Sequence, residues 1–396
     1  MIQKDSKAFL ITLAFLAMLP PFAVNTYAPA IPNIATHFNI NTSSVTFTFT
    51  TSYFIGFSVG MILWGSLSDK FGRKHCLIIG MFLYIISTLL CAHSHSFSQL
   101  GLFRLIQGLM VSSGTVISLA IARDCYVGKH LTNTVSTLAI VMLISLIVSP
   151  MIGSGLIFLT SSWKSSFYFL FILGILLLLL CFMLPETHIS EQRTKSIKKL
   201  FSAYFCHFRN IQFITYTTCS GLIFAAFFSY ISSSSIIFLK IYETGYTLYI
   251  LYFALTIVGS ILANFTLKKL RKKFPLKLFT IVGLSVSLSS ILIMLLFSYI
   301  KLNYAYIFVS LMLITCYGLS LGSTSLLSQS LQLVSSNFGS ATAINNFFKF
   351  SLAGAANFIM SFSTISMLVS NLLIQQLTII LITSLIIYLT NKKIGR

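Results

Sequence analysis

Six carboxylates and 26 lysines and arginines in 396 residues leave few side chains able to do chemistry, and their positions decide which chemistry. Two cations, Arg104 and Lys349, fall inside long apolar runs. A cation there costs roughly 2.5 to 3.5 kcal/mol on insertion scales, and such residues usually face a cavity or a partner. No acid is placed that way: Asp5 precedes the first run, Asp69 and Asp124 stand at run ends, Glu186 and Glu191 lie in a polar central stretch, and Glu243 lies in a short connection. Positive charge with no facing carboxylate favours an anionic ligand. Lys349 has Asn345 and Ala353 one turn to either side. It has a second reading, in which its ammonium snorkels or meets backbone carbonyls, and a third, in which it carries a proton. Ser112, Ser113, Thr115 and Ser118 add small polar groups to the run that begins near Arg104. The seven histidines all read as lying at run ends or in connections. There is no phosphate-binding glycine loop, no nucleophile elbow and no His/Cys cluster of metal spacing, so no catalytic residue, metal or cofactor is expected and the chain does not read as an enzyme.

The elements that must position these residues follow from composition. With 56% hydrophobic and 8% charged residues, against about 25% charged in average proteins, the chain belongs in lipid. Runs near the ~20 residues that cross a bilayer fall at 8–32, 45–67, 76–93, 99–121, 134–158 and 165–184, then at 211–238, 245–267, 277–299, 303–325, 341–365 and 367–390. The expected fold is therefore an all-α integral membrane protein of twelve transmembrane helices. With both termini in the cytoplasm, 21 of the 26 cations fall on that side and only Lys164, Lys240 and Lys301 on the other. That asymmetry fixes the orientation by the positive-inside rule, and it accounts for the net charge of +20 without nucleic acid. The first run continues through Pro20, Pro21 and Asn25 with no convincing cleavage site, so it reads as a helix and not a signal peptide. The seven cysteines show no paired spacing.

The longest polar interruption, 185–210, separates an N-terminal bundle (1–184) from a C-terminal one (211–396), six runs each. Within it, residues 197–205 read either as a short amphipathic helix on the inner leaflet or as a solvated basic linker. A trace of internal repetition supports two pseudo-symmetric halves: Leu67–Lys74 can be laid over Leu270–Lys277 with matches at Leu, Lys, Phe and Lys, the second copy lacking the aspartate and the glycine.

Between the second and third runs stands Gly65-Ser66-Leu67-Ser68-Asp69-Lys70-Phe71-Gly72-Arg73-Lys74. Gly65 lets a helix end pack closely, Asp69 is a helix-end carboxylate, and Gly72 permits a sharp turn. The stretch resembles the G-x-L-a-D-r-x-G-r-k loop of major facilitator superfamily transporters. Arg104-Leu105-Ile106-Gln107-Gly108 is similar to that superfamily's R-x-x-q-G element, and Val148-Ser149-Pro150 with Gly153 and Gly155 to its antiporter motif. Residues 21–32, with Pro21, Asn25, Tyr27, Pro29 and Pro32, resemble the P-x-A-x-D-x-Y-L-P-x-x-P signature of bicyclomycin-resistance (Bcr/CflA) drug/proton antiporters. Arg123-Asp124-Cys125-Tyr126 and Leu184-Pro185-Glu186-Thr187 point to the same branch. The departure is Asn25, which stands where the signature has an aspartate, and an amide cannot exchange a proton near neutral pH.

The resemblance implies a bacterial inner-membrane, multi-pass exporter of drugs or small organic molecules that works by alternating access as a monomer. Its partners would be the bilayer and a small-molecule substrate, with proton motive force as the candidate energy source. Asn25, Tyr27, Lys349 and Asn345 are expected at the substrate, with Arg104 organising the cavity. Pro150 and Gly153 are expected to shape helix packing. Asp69 paired with Arg123 is expected to latch the cytoplasmic side, with Gly65, Gly72, Arg73 and Asp124 completing that motif; an ordinary interfacial pair is the duller reading. A carrier of an anionic metabolite or siderophore, moving it in either direction through Arg104 and Lys349, is the near alternative. A sensor or scaffold without turnover is the distant one.

Overall fold

Apolar runs in lipid fold as helices because no water is present there to satisfy backbone N–H and C=O groups. The structure, a computed structural model, describes residues 6–188, 207–300, 304–334 and 338–394, and its long elements are all helices. The chain separates into two compact units, Met1–Ala203 and Tyr204–Arg396. The first holds α1 (Lys7–Asn25), α2 (Ile31–Phe38), α3 (Thr42–Phe71), α4 (Arg73–Ala92), α5 (Phe97–Cys125), α6 (Gly128–Thr160) and α7 (Lys164–Met183). The second holds α8 (Ile211–Ile236), α9 (Gly245–Leu270), α10 (Leu276–Tyr299), α11 (Ala305–Gln332), α12 (Phe338–Met360) and α13 (Leu368–Ile394).

Among the described residues, eleven helical stretches are long and apolar enough to cross a membrane, with α1 and α2 together forming one of them. The twelfth expected run, 341–365, is occupied by α12, a continuous 23-residue helix that falls short of the others in apolarity. Its Asn345, Asn346, Lys349 and Asn357 are the reason. The expected run 8–32 is not one straight helix. Pro20 and Pro21 delete two backbone donors, α1 stops one turn later at Asn25, and a single 3-10 turn, Ala28–Ala30, leads into α2. The stretch 197–205, Asp5, Glu191, Lys301 and Cys206 lie outside the described residues.

Both units combine close backbone contact at small residues with hydrogen bonds between helices, and a Cβ on Gly259 or Gly283 of the second would likewise overlap a carbonyl oxygen, of Leu313 or Gly318. In the first, small residues let backbones touch: a Cβ on Gly108 would overlap the carbonyl oxygen of Tyr53, and one on Gly56 that of Leu105, which locks α5 against α3. In the second, hydroxyls bond across helices: Ser220 donates to the Ser323 carbonyl at 2.9 Å, Thr280 and Ser325 lie 2.7 Å apart, and Tyr230 meets Thr256 at 2.9 Å. Such bonds are worth about 0.6 kcal/mol each, so the second unit gains its cohesion from several. Ile79, Phe82, Leu102, Ile172, Leu179, Phe265 and Ile281 are each more than half exposed, as expected where the solvent is hydrocarbon.

Candidate functional site

In the first unit α1, α3, α4 and α5 converge on Arg104, which has no exposed surface. Its guanidinium is stacked between two rings, 4.5 Å from the centroid of Tyr27 and 4.6 Å from that of Tyr53. Nη1 donates to the Ala23 carbonyl at 2.9 Å and to Oε1 of Gln107 at 2.5 Å. Arg104 and Gln107 are three residues apart, so they share a helix face. Gln107 in turn donates to Thr88 at 2.7 Å, and Thr88 to the Tyr84 carbonyl at 2.7 Å. The Tyr53 hydroxyl donates to the Pro20 carbonyl at 3.1 Å, fixing the last turn of α1. Among the described residues no carboxylate takes part, and Nε and Nη2 of Arg104 are buried without a hydrogen-bond partner. Tyr27 thus meets Arg104 directly. Asn25 is buried but donates within its own helix, to the Pro21 carbonyl at 2.9 Å. Tyr53 and Thr88 carried no sequence signal, because their contacts cross between helices.

Gly72 joins α3 to α4 at φ +98° and ψ 152°, a conformation open essentially to glycine alone. That turn sets Arg73 at the centre of a charge cluster. Nη1 of Arg73 meets Asp69 at 2.5 Å and Ser68 at 2.8 Å, and its Nε meets Asp124 at 3.0 Å. The expected partner of Asp69 was Arg123; Arg73 takes that place instead. Arg123 is exposed and forms no ion pair among the described residues. The turn at Gly72 folds Arg73, the first residue of α4, back onto Asp69 near the end of α3, whereas Arg123 is carried by α5. Gly65 is half-buried, its carbonyl accepting from Ser68.

Glu186, quoted above only as a branch marker, completes this end of the unit. Its carboxylate accepts from the backbone N–H groups of Arg73 and Lys74 at 3.0 and 3.2 Å, and from those of Thr187 and His188 at 3.0 Å each. Burial alone would raise its pKa, but these four bonds outweigh it and hold the carboxyl below its usual range. An acid on the first N–H groups of α4 also suits the helix dipole.

Gly153 lies where α6 crosses the broken end of α1. A Cβ there would overlap the Thr26 carbonyl oxygen and come within 3.3 Å of Pro29. Pro150 sits inside the same helix, one turn earlier. Gly155, quoted in the same motif, has nothing within 4 Å of its would-be Cβ. We therefore expect Gly153→Leu to lower thermal stability in detergent by about 1 to 3 kcal/mol and Gly155→Ala to leave it within about 0.5 kcal/mol. Equal thermal midpoints for the two variants would contradict this packing.

In the second unit Lys349 is half-buried on α12, with Nζ 4.1 Å from the centroid of Phe224. Among the described residues it has no hydrogen-bond partner and no carboxylate near it. Phe224 is itself packed on Phe228 and Phe350, with centroids at 5.6 and 5.4 Å, so the ammonium stands at the edge of an aromatic cluster. Asn345 is occupied: it donates to the Ala341 carbonyl at 3.1 Å and accepts from Ser330 at 3.2 Å. Two turns beyond Lys349, Asn357 has a buried side-chain oxygen with no partner.

Two units of six long helices, a glycine turn holding a carboxylate and arginine cluster, and isolated cations within the spans define a membrane transporter. The Major Facilitator Superfamily model matches residues 13–358, and the chain belongs to that family. It is 29% identical over 265 residues to a bicyclomycin resistance protein homolog of Haemophilus influenzae, an alignment covering 66% of each chain. It is 31% identical over 180 residues to the multidrug resistance protein MdtL of Klebsiella pneumoniae, covering 45% of each. The aligned part is thus just under two thirds of the first relative and under half of the second. Among solved structures, the nucleoside transporter NupG superposes with a TM-score of 0.74 at 13% identity, over 96% of this chain and 98% of that one. A D-xylose-proton symporter does so at 0.72 and 15%, over 95% and 96%. At such identities these structures establish the fold alone.

Proposed function

We propose that this transporter exports small organic molecules across the bacterial inner membrane by alternating access. It acts as a monomer with both termini in the cytoplasm, and residues 1–184 and 211–396 are its two halves, joined by 185–210. The resistance proteins among its relatives support export, and the concentration of cations at one set of connections supports the orientation. Lys349 carries the choice of cargo. An ammonium against an aromatic cluster, with no carboxylate partner, suits an amphipathic molecule that is neutral or anionic and disfavours a cation. Asn25 and Tyr27 stand on the first unit's side of this function, with Arg104 holding their segment in place. The same observation favours a second reading, a carrier of an anionic metabolite or siderophore, in which Lys349 binds a carboxylate. Proton coupling through the first helix is unsupported, since Asn25 cannot titrate.

The test is uptake into liposomes of cationic dyes and of citrate-like anions, with and without a proton gradient. We expect anions or neutral amphiphiles to move, and Lys349→Gln to cut anion flux about tenfold or more, in keeping with about 1.5 to 3 kcal/mol for a charged hydrogen bond. Gradient-driven movement of cationic dyes that survives in Lys349→Gln would instead establish drug/proton antiport.

A further inference from the structure

The two copies of the loop repeat differ in how their positive charge is answered. In the first, Arg73 is met by Asp69 and Asp124, and Glu186 covers the backbone beside it. In the second, the position of Asp69 is taken by Lys272 and that of Gly72 by Pro275. Lys268, Lys269, Arg271, Lys272, Lys273 and Lys277 crowd into ten residues. The sole carboxylate of the second unit is Glu243, at the opposite end of α9, a helix of 26 residues and so about 39 Å long. No ion pair involves any of the six cations among the described residues.

These cations border a cavity of about 470 Å³ between α9, α10 and α11. Lys268, Arg271 and Lys272 form its rim, and Asn264, Thr324, Ser328 and Gln332 its polar wall. The wall is already organised: Thr324 donates to Asn264 at 3.2 Å, Asn264 to the Ser260 carbonyl at 2.9 Å, and Ser328 to the Thr324 carbonyl at 2.9 Å. Donors for a ligand are therefore the three cations and the Gln332 amide. Leu276, which also borders the cavity, opens α10, and no side chain caps that helix; its free N–H groups add positive potential.

We propose that this cavity binds the phosphate headgroup of an anionic phospholipid, which supplies the negative charge that carboxylates supply in the first unit. The phosphodiester sits among Lys268, Arg271 and Lys272, and the acyl chains extend into the bilayer around the helices. The site holds in either orientation of the chain and is independent of which cargo is carried.

Native mass spectrometry of the full-length protein, titrated with phosphatidylglycerol, phosphatidylcholine or inorganic phosphate, tests it. We expect a saturable phosphatidylglycerol adduct, little binding of phosphatidylcholine, and no competition from inorganic phosphate at matched concentration. Each cation removed should weaken the adduct about fivefold, and the triple variant K268Q/R271Q/K272Q about a hundredfold. K240Q, at the far end of the unit, should leave it unchanged. All three cations are exposed, so folding should survive, and the single variant K272Q provides a milder check. An adduct undiminished in the triple variant, equal binding of phosphatidylcholine, or displacement by inorganic phosphate would overturn the proposal.

Discussion

Replacing Arg104 with glutamine is expected to abolish transport and to lower stability by about 3 kcal/mol. Two acceptors, the Ala23 carbonyl and Gln107 Oε1, lose their donor in a site with no water access. An unsatisfied buried polar group costs about 1 to 3 kcal/mol, and two cation–π contacts of roughly 0.5 to 2 kcal/mol disappear as well. Offsetting this, Nε and Nη2 of Arg104 are buried without partners, so removing the charge also relieves a desolvation cost. The balance stays unfavourable because Tyr27 and Tyr53 close on a planar cation, which the shorter, neutral amide of glutamine cannot replace. Lysine tests the same point: it keeps the charge and loses the plane, so it should rescue neither thermal midpoint nor flux. Full rescue by Arg104→Lys would show that charge alone matters here, and would favour direct contact with an anion over a clamp between α1, α3 and α5.

Arg73→Ala is expected to reduce transport at least tenfold while lowering stability by about 2 kcal/mol. The Arg73 side chain is 8% exposed, and its partners Asp69 and Asp124 are 38% and 22% exposed. Its loss leaves two carboxylates facing one another, yet both retain some water, which keeps the cost below the 3 to 5 kcal/mol of a fully buried pair. The functional effect should be larger than the thermodynamic one. From the start of α4 the Arg73 side chain ties the ends of α3 and α5 together, so these three helices lose a common anchor, whereas the Glu186 bonds run to backbone N–H groups and survive the substitution. Arg123→Ala is the discriminating control and should change flux less than threefold. Equal losses in the two variants would return the latch to the expected Asp69 and Arg123 pair.

Apolar runs are a sufficient signal where lipid is the solvent, so helix number and approximate limits were readable from sequence. The limits moved where local chemistry intervened: α1 ends one turn beyond its prolines, α3 continues to the glycine at 72, and the helix of the expected run 341–365 stops at Met360. Motifs confined to a single turn were equally legible, as with Gly72 and its φ of +98°. Contacts between distant residues were not. Nothing in the spacing of Arg104, Tyr27 and Tyr53 announces a sandwich, and Glu186 reaches Arg73 across 113 positions. Gly153 and Gly155 look alike in sequence, but two residues along a helix rotate a side chain by about 200°, and only one of them meets a neighbour.

On the proposed function, the lack of a counter-charge at Lys349 among the described residues bears on the membrane voltage. With its ammonium uncompensated, an empty carrier holds positive charge inside the bilayer, and a bound monoanion cancels it. The unladen return step then carries one positive charge more than the laden step, Arg104 contributing equally to both. Under an inside-negative potential, the return of that charge toward the cytoplasm is favoured by up to about 2.3 kcal/mol per 100 mV for a full crossing. An exporter of anions built this way is driven by voltage, and the carboxylate that Asn25 replaces becomes unnecessary.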